Sequence, residues 1–130
     1  MSVRILVIDD DEDFTLLFFR EMGKISNENI VMSAENGYRA LHLLNFLLPE
    51  VPELIFVNVR MPIMNGNEIV KEIRDIKGLG GVPVFMYSAS EDPDEREQAL
   101  LNGADFYYQK PFTTDGVHRM IREALESVNA

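Results

Sequence analysis

Short apolar runs alternate along this chain with longer stretches in which apolar residues return every three or four positions. The short runs are Val3–Ile8, Ile30–Met32, Leu54–Val57, Val82–Met86 and Asp105–Tyr108. Most are nearly continuous in hydrophobicity, which predicts strands covered on both faces. Between them lie five helix candidates. In the last, Val117, Met120, Ile121, Ala124, Leu125 and Val128 fall on one face. The first repeats the pattern with Phe14, Leu17, Phe18, Met22 and Ile25, with Gly23 near its end. The third carries Ile69, Val70, Ile73 and Ile76. The second, around Ala40 to Leu48, is apolar on more than one side and stops before Pro49. Gly103 follows the fourth as a C-cap, and Thr113 or Thr114 caps the fifth at its start.

Strands alternating with helices predict an α/β fold, a parallel sheet wrapped on both faces by right-handed crossovers. Five such units give a doubly wound five-stranded sheet with five helices, in the flavodoxin-like order 2-1-3-4-5. The 130 residues, 46% hydrophobic, suffice for one domain over positions 1–130 with a sizeable core. No apolar run reaches the roughly 18 residues of a membrane span, and no leader pattern opens the chain. The absence of cysteine removes disulfides, thiolate metal sites and cysteine nucleophiles, and fits the cytoplasm. A net charge of −10 argues against direct nucleic-acid binding and for protein partners.

In an open α/β sheet, ligands meet the carboxyl ends of the strands near the point where strand order reverses. Asp9, Asp10, Asn58, Ser88 and Lys110 each follow or end a predicted strand. Together with the Met61-Pro62 turn closed by Gly66, Ser88-Ala89 and Lys110-Pro111, this constellation resembles the receiver domain of two-component response regulators, over nearly the whole chain. The resemblance implies phosphoryl transfer from a phosphohistidine partner to a carboxylate at position 58, a reaction governed by positioning and charge neutralisation. It implies Mg²⁺ on Asp10 directly, on Asp9 mainly through water, and on the backbone carbonyl of Arg60. It assigns Ser88 and Lys110 to the phosphoryl oxygens, Tyr107 to an aromatic switch, and a cis bond to Lys110-Pro111. Partners implied are a sensor kinase, a phosphotransfer or output domain, and a second copy through the face of the fourth helix, fifth strand and fifth helix.

Position 58 departs from the pattern. Asparagine is neutral and its nitrogen lone pair is delocalised, and its neighbours Val57 and Val59 offer no hydroxyl in its place. Phosphorylation at Asn58 is therefore not expected, and the chain reads as a degenerate receiver acting through protein contact. The other reading is an ordinary receiver carrying an Asp→Asn change at its acceptor. Asp9 and Asp10 face Lys110, with Arg60 on the rim. If Arg60 folds inward, the charges nearly cancel and Mg²⁺ binding weakens; Lys110 or Arg60 then pairs with Asp9 or Asp10. The carboxylates should stay ionised beside these cations.

Two enzyme or cofactor readings rank lower. Asp11-Glu12-Asp13-Phe14-Thr15 matches the D-x-D-x-T nucleophile motif of haloacid-dehalogenase-type phosphatases, but is offset from the strand end. Flavin or nucleotide binding on this fold wants free amides after the first strand, where the chain instead has an acidic run. Within that run Asp11 or Glu12 serves the helix start. Tyr107 and Tyr108 also suit plain strand packing, His42 and His118 read as helix-surface residues, and the seven methionines as core filling and an initiator.

Overall fold

A computed structural model describes residues 2–48 and 50–129, with the side chains of Leu47 and Asn129 outside the description. Five parallel strands, β1 (Arg4–Ile8), β2 (Ile30–Ala34), β3 (Leu54–Asn58), β4 (Val84–Ser88) and β5 (Phe106–Gln109), form one sheet. Their order is β2-β1-β3-β4-β5, as the alternation of strands and helices predicted. The helices are α1 (Glu12–Ile25), α2 (Gly37–His42), α3 (Gly66–Asp75), α4 (Pro93–Leu101) and α5 (Thr114–Asn129).

Successive strand residues point to opposite faces, so each central strand feeds two cores. Leu6, Ile8, Ile55, Val57, Val84 and Met86 pack on the side that includes Ala40, Ile69, Val70 and Ile73. Ile5, Val7, Leu54, Phe56, Phe85 and Tyr87 pack on the other, against Phe14, Phe18, Met22, Val117, Met120 and Ile121 of α1 and α5. Four of the seven methionines, Met22, Met61, Met86 and Met120, are buried; Met1 lies outside the described residues.

The helix starts are fixed by side chains the sequence supplies. Asp11 accepts from the Phe14 amide at the start of α1. Asn65 and Glu68 make a reciprocal capping box on α3. Asp92 caps α4 with Pro93 in its first turn, and Thr113 Oγ1 accepts from the Gly116 amide at the start of α5. One local expectation needed revision. The second helix is α-helical only to His42, then continues as a π-helical turn over Leu43–Leu47; its expected stop at Pro49 lies outside the described residues. Gly23 lies near the end of α1, as expected, and the helix runs on to Ile25 with Ser26 as its cap. A Cβ at Gly23 would meet nothing within 4 Å. Gly23→Ala should therefore stabilise the protein by about 0.5–1 kcal/mol, read as a raised urea midpoint, because alanine loses less backbone entropy on entering a helix.

Candidate functional site

The carboxyl ends of β1, β3 and β5 bring Asp9, Asn58 and Lys110 into contact. Each is nearly buried, at 3%, 6% and 6% exposure. The Asn58 amide nitrogen donates to Asp9 Oδ1 at 3.2 Å, Asp10 Oδ1 at 3.4 Å and the Arg60 carbonyl at 3.1 Å. All three acceptors lack hydrogens, so only the nitrogen, not the amide oxygen, can face them. An NH₂ group has two protons, and here they are divided among three oxygens.

Asp9 is saturated. Its Oδ1 accepts from the Asp11 amide at 2.9 Å and from Asn58, and its Oδ2 from the Tyr87 hydroxyl at 2.7 Å and from Lys110 Nζ at 3.1 Å. A carboxylate offers about four lone-pair positions, and protein donors approach each oxygen of Asp9 twice. Lys110 also reaches Asp11 Oδ2 at 3.4 Å and sits over the Phe14 ring, 4.6 Å from its centroid. Burial pushes the Asp9 carboxyl above its usual range, against the lowering effects of the Asp11 amide, Tyr87 and Lys110. Desolvation is the larger effect here, and the neighbouring cation opposes it as expected. Tyr87, fully buried, has its hydroxyl pushed well up by burial and by Asp9, which keeps it a donor. Asp11 is held low, first by the Phe14 amide.

Arg60 does not fold inward. Its Nε and Nη2 donate to Glu95 Oε2 at 3.1 and 2.7 Å, on α4, because Glu95 offers a charged acceptor outside the pocket. Lys110 alone meets the aspartates. Ser88, at the end of β4, is fully buried and donates to Glu95 Oε1 at 2.8 Å, away from Asn58. The Tyr107 hydroxyl is buried beside Ser88 without a well-formed hydrogen bond. The Lys110–Pro111 bond is trans, correcting the cis expectation. The Lys110 amide donates to the Ser88 carbonyl at 2.7 Å, and the ammonium reaches Asp9 from that backbone position.

Close packing under the site comes from Gly66. A Cβ there would lie 2.5 Å from the Asn58 carbonyl oxygen and 2.8 Å from Val59 Cα. Backbone atoms cannot swing aside, so Gly66→Ala should cost about 2 kcal/mol or more in chemical denaturation, as other overpacked sites do. On the same loop Ile63 is 80% exposed at φ 72°, a strained setting for a β-branched residue.

The lower-ranked readings gain little from this geometry. Asp11 is the N-cap of α1, and Thr15 Oγ1 bonds back to the Asp11 carbonyl, so the D-x-D-x-T segment lies in a helix turn and not at a strand end. A cleft of about 200 Å³ beside Asp9 is lined by Asp10, Glu12 and Glu35 as well, a surface that repels phosphate. His42 is exposed and packs on Phe46. His118 is more than a surface residue, since its Nδ1 lies 3.4 Å from the buried carboxylate of Glu21.

Sequence reasoning missed Tyr87, Asp11 as a Lys110 partner, and Glu95. Tyr87 was hidden in an apolar run, although a tyrosine beside a strand-end residue carries a hydroxyl that burial obliges to find a partner.

Comparison with known proteins bears on the family and the fold. The family model of the response regulator receiver domain matches residues 5–122. The uncharacterized transcriptional regulatory protein YrkP of Bacillus subtilis (strain 168) is 32% identical over 93% of this chain and 48% of its own length. The alkaline phosphatase synthesis transcriptional regulatory protein PhoP of the same strain is 30% identical over 96% of the chain and 49% of its length. The chain thus spans about half the length of these curated relatives. Among solved structures, the phosphorylated cyanobacterial phytochrome response regulator RcpA superposes with TM-score 0.88 at 18% identity, covering 100% of this chain and 96% of that one. The Mn²⁺-bound form of response regulator Rcp1 gives 0.80 at 18% identity, over 93% and 90%. At these identities the likeness speaks for the fold, while the family match and the curated relatives carry the assignment: this chain belongs to the response regulator receiver domains of two-component systems.

Proposed function

We propose that this receiver transmits its signal by protein contact from a pocket that is not phosphorylated and has little or no demand for Mg²⁺. The observation that carries the reading is the Asn58 amide, which points its N–H groups at Asp9, Asp10 and the Arg60 carbonyl. Those are the oxygens through which the family resemblance would place Mg²⁺. A cation there would have to displace a donor already bonded to all three. With Asp9 also occupied by Tyr87 and Lys110, the residues present do not fit the ion. An amide at 58 likewise supplies no carboxylate oxygen to attack phosphorus.

In this reading residues 1–130 are a single receiver module, cytoplasmic and not an enzyme. No helix among the described residues is long and apolar enough to cross a membrane. Its partners are sensor kinases, phosphotransfer or output domains, or a second copy. Exposed Leu100, Leu101, Phe106 and Phe112 supply apolar contacts on the α4–β5–α5 side. The relatives named as transcriptional regulators are about twice as long; this acidic module reaches nucleic acid only through other protein segments.

The alternative, an ordinary receiver with its acceptor aspartate replaced, is separated from this one by intact mass after acetyl phosphate and Mg²⁺ treatment. The protein itself should gain no phosphate. If Asn58→Asp does gain one, the surrounding site remains competent and the alternative stands. If it does not, Tyr87 and Lys110 have remodelled the pocket as well. A phosphate on Asn58 or elsewhere in the native pocket would overturn the proposal.

A further inference from the structure

We propose that the outer edge of β2 pairs antiparallel with the same strand of a second copy, so that two chains share one continuous sheet. This contact goes beyond the function proposed above, since it uses neither position 58 nor the α4–β5–α5 side. Among the described residues β2 pairs only with β1, which leaves its other edge open. The Ile30 amide donates to the Val3 carbonyl, and the Asp9 amide donates to the Ala34 carbonyl. In a parallel ladder the N–H and C=O of one residue point the same way, and successive residues alternate between the two edges. Ile30, Met32 and Ala34 therefore face β1, while Val31 and Ser33 turn both backbone groups outward.

The strand carries none of the usual guards against such pairing. Prolines, charged side chains and bulges ordinarily protect a sheet edge, and the sequence Ile-Val-Met-Ser-Ala has no proline, glycine or charge. Ile30 is 51% exposed, Ser33 is exposed, and Val31 and Met32 are half-buried. On the α2 side the edge borders an apolar cleft of about 260 Å³, lined by Ile30, Met32 and Leu48 with Arg4 and Glu50 at its rim.

Register and charge identify the occupant as a second copy. A twofold axis through Met32 sets Val31 opposite Ser33 of the second copy, and Ser33 opposite Val31. Their outward groups match, so each pair exchanges both of its backbone hydrogen bonds. Met32 then meets its own counterpart in a close pair without backbone bonds, where flexible thioethers adapt to one another. Ile30 falls opposite the small Ala34. The acidic residues that flank the strand avoid each other in this register: Glu35 falls opposite Asn29, and Glu28 opposite Asn36. A parallel, in-register pair would instead set Glu28 against Glu28 and Glu35 against Glu35, which like-charge repulsion disfavours.

Residue-resolved amide exchange across a dilution series, beside sedimentation velocity, reads the pairing directly. In concentrated protein the Val31 and Ser33 amides should be protected. On dilution they should exchange as open amides, while the Met32 amide, bonded to β1, stays protected. The dimer should strengthen with added salt, because each copy carries a net charge of −10 and screening weakens their repulsion. Ser33→Pro removes one outward N–H from each copy and leaves the β1 ladder intact, a position where an edge strand tolerates proline. It should therefore fold and weaken the dimer on the order of thirtyfold, since half of the bonds across the axis are lost. A protein that stays monomeric at millimolar concentration in high salt would overturn the proposal, even if the edge captured an extended peptide from another protein. A dimer whose Val31 and Ser33 amides exchange freely would overturn it equally, since the copies would then meet elsewhere. Should Ser33→Pro fail to fold, the dilution series on the unmodified protein decides the question alone.

Discussion

Replacing Lys110 with methionine is expected to cost about 3–5 kcal/mol of folding stability at neutral pH, the usual consequence of removing one partner of a buried ion pair. Lys110 and Asp9 side chains are 7% and 0% exposed and 3.1 Å apart. Methionine keeps most of the apolar stem and loses the ammonium, which lies 4.6 Å from the Phe14 ring centroid, so packing loss is small and the effect is electrostatic. Asp9 would then be a buried carboxylate bonded to Asn58, Tyr87 and the Asp11 amide with no cation. Burial already raises its folded pKa above the usual 3.8, and Lys110 is among the groups opposing that rise. In the variant the folded value climbs further. A folded state that binds the proton more tightly than the unfolded state loses stability as pH rises through the folded pKa. The difference between Lys110→Met and the unmodified protein should therefore be largest at neutral pH and shrink toward pH about 4. Urea denaturation of both proteins at the two pH values checks this. A loss that does not change with pH would mean that Asp9 is not the group left unpaired.

Asn58→Asp should be destabilising in the absence of divalent ions, by about 3 kcal/mol, although it differs by one oxygen for one nitrogen. The amide divides two protons among three oxygens, and each proton given to a charged or buried acceptor contributes on the order of 1 kcal/mol net; the added charge repulsion supplies the rest. A carboxylate cannot donate, and brings a third negative charge against Asp9 and Asp10, which repel it. Mg²⁺ should then recover much of the loss, since an ion at about a hundredfold over its dissociation constant stabilises by about 2.7 kcal/mol. Thermal unfolding with and without Mg²⁺ gives both numbers. The variant should show a large metal-dependent rise in midpoint. If Asn58→Asp is as stable as the parent without metal, the amide's three bonds are not what holds the strand ends together.

Fold and site were unequally legible in the sequence. The sheet could be read because β1, β3 and β4 are apolar on both faces, and because right-handed crossovers leave few ways to wind five strand–helix units. The faces of α1, α3 and α5 followed from spacing alone. What the spacing could not show was the π-helical continuation at Leu43–Leu47, since an apolar stretch on more than one side carries no period to betray a changed turn. At the site, Asp9, Asn58 and Lys110 were readable as strand-end residues and do meet. The directions of their neighbours were not readable. Arg60 lies beside the pocket in sequence but turns to Glu95, a residue 35 positions away whose orientation depends on how α4 docks. Tyr87 passed as one more core residue because its chemistry is confined to a single hydroxyl at the far end of an apolar ring. Long-range partner choice is decided by tertiary geometry, and a linear pattern holds no trace of it.

In the proposed function the Asn58 amide does for Asp9, Asp10 and the Arg60 carbonyl what a bound cation would do. Calorimetric titration of Mg²⁺ into the protein and into Asn58→Asp tests it most directly. No saturable heat is expected from the protein at millimolar Mg²⁺, and a one-to-one isotherm is expected from the variant. Equally tight binding by both would contradict it, because the amide would then have to leave the three oxygens to which it donates.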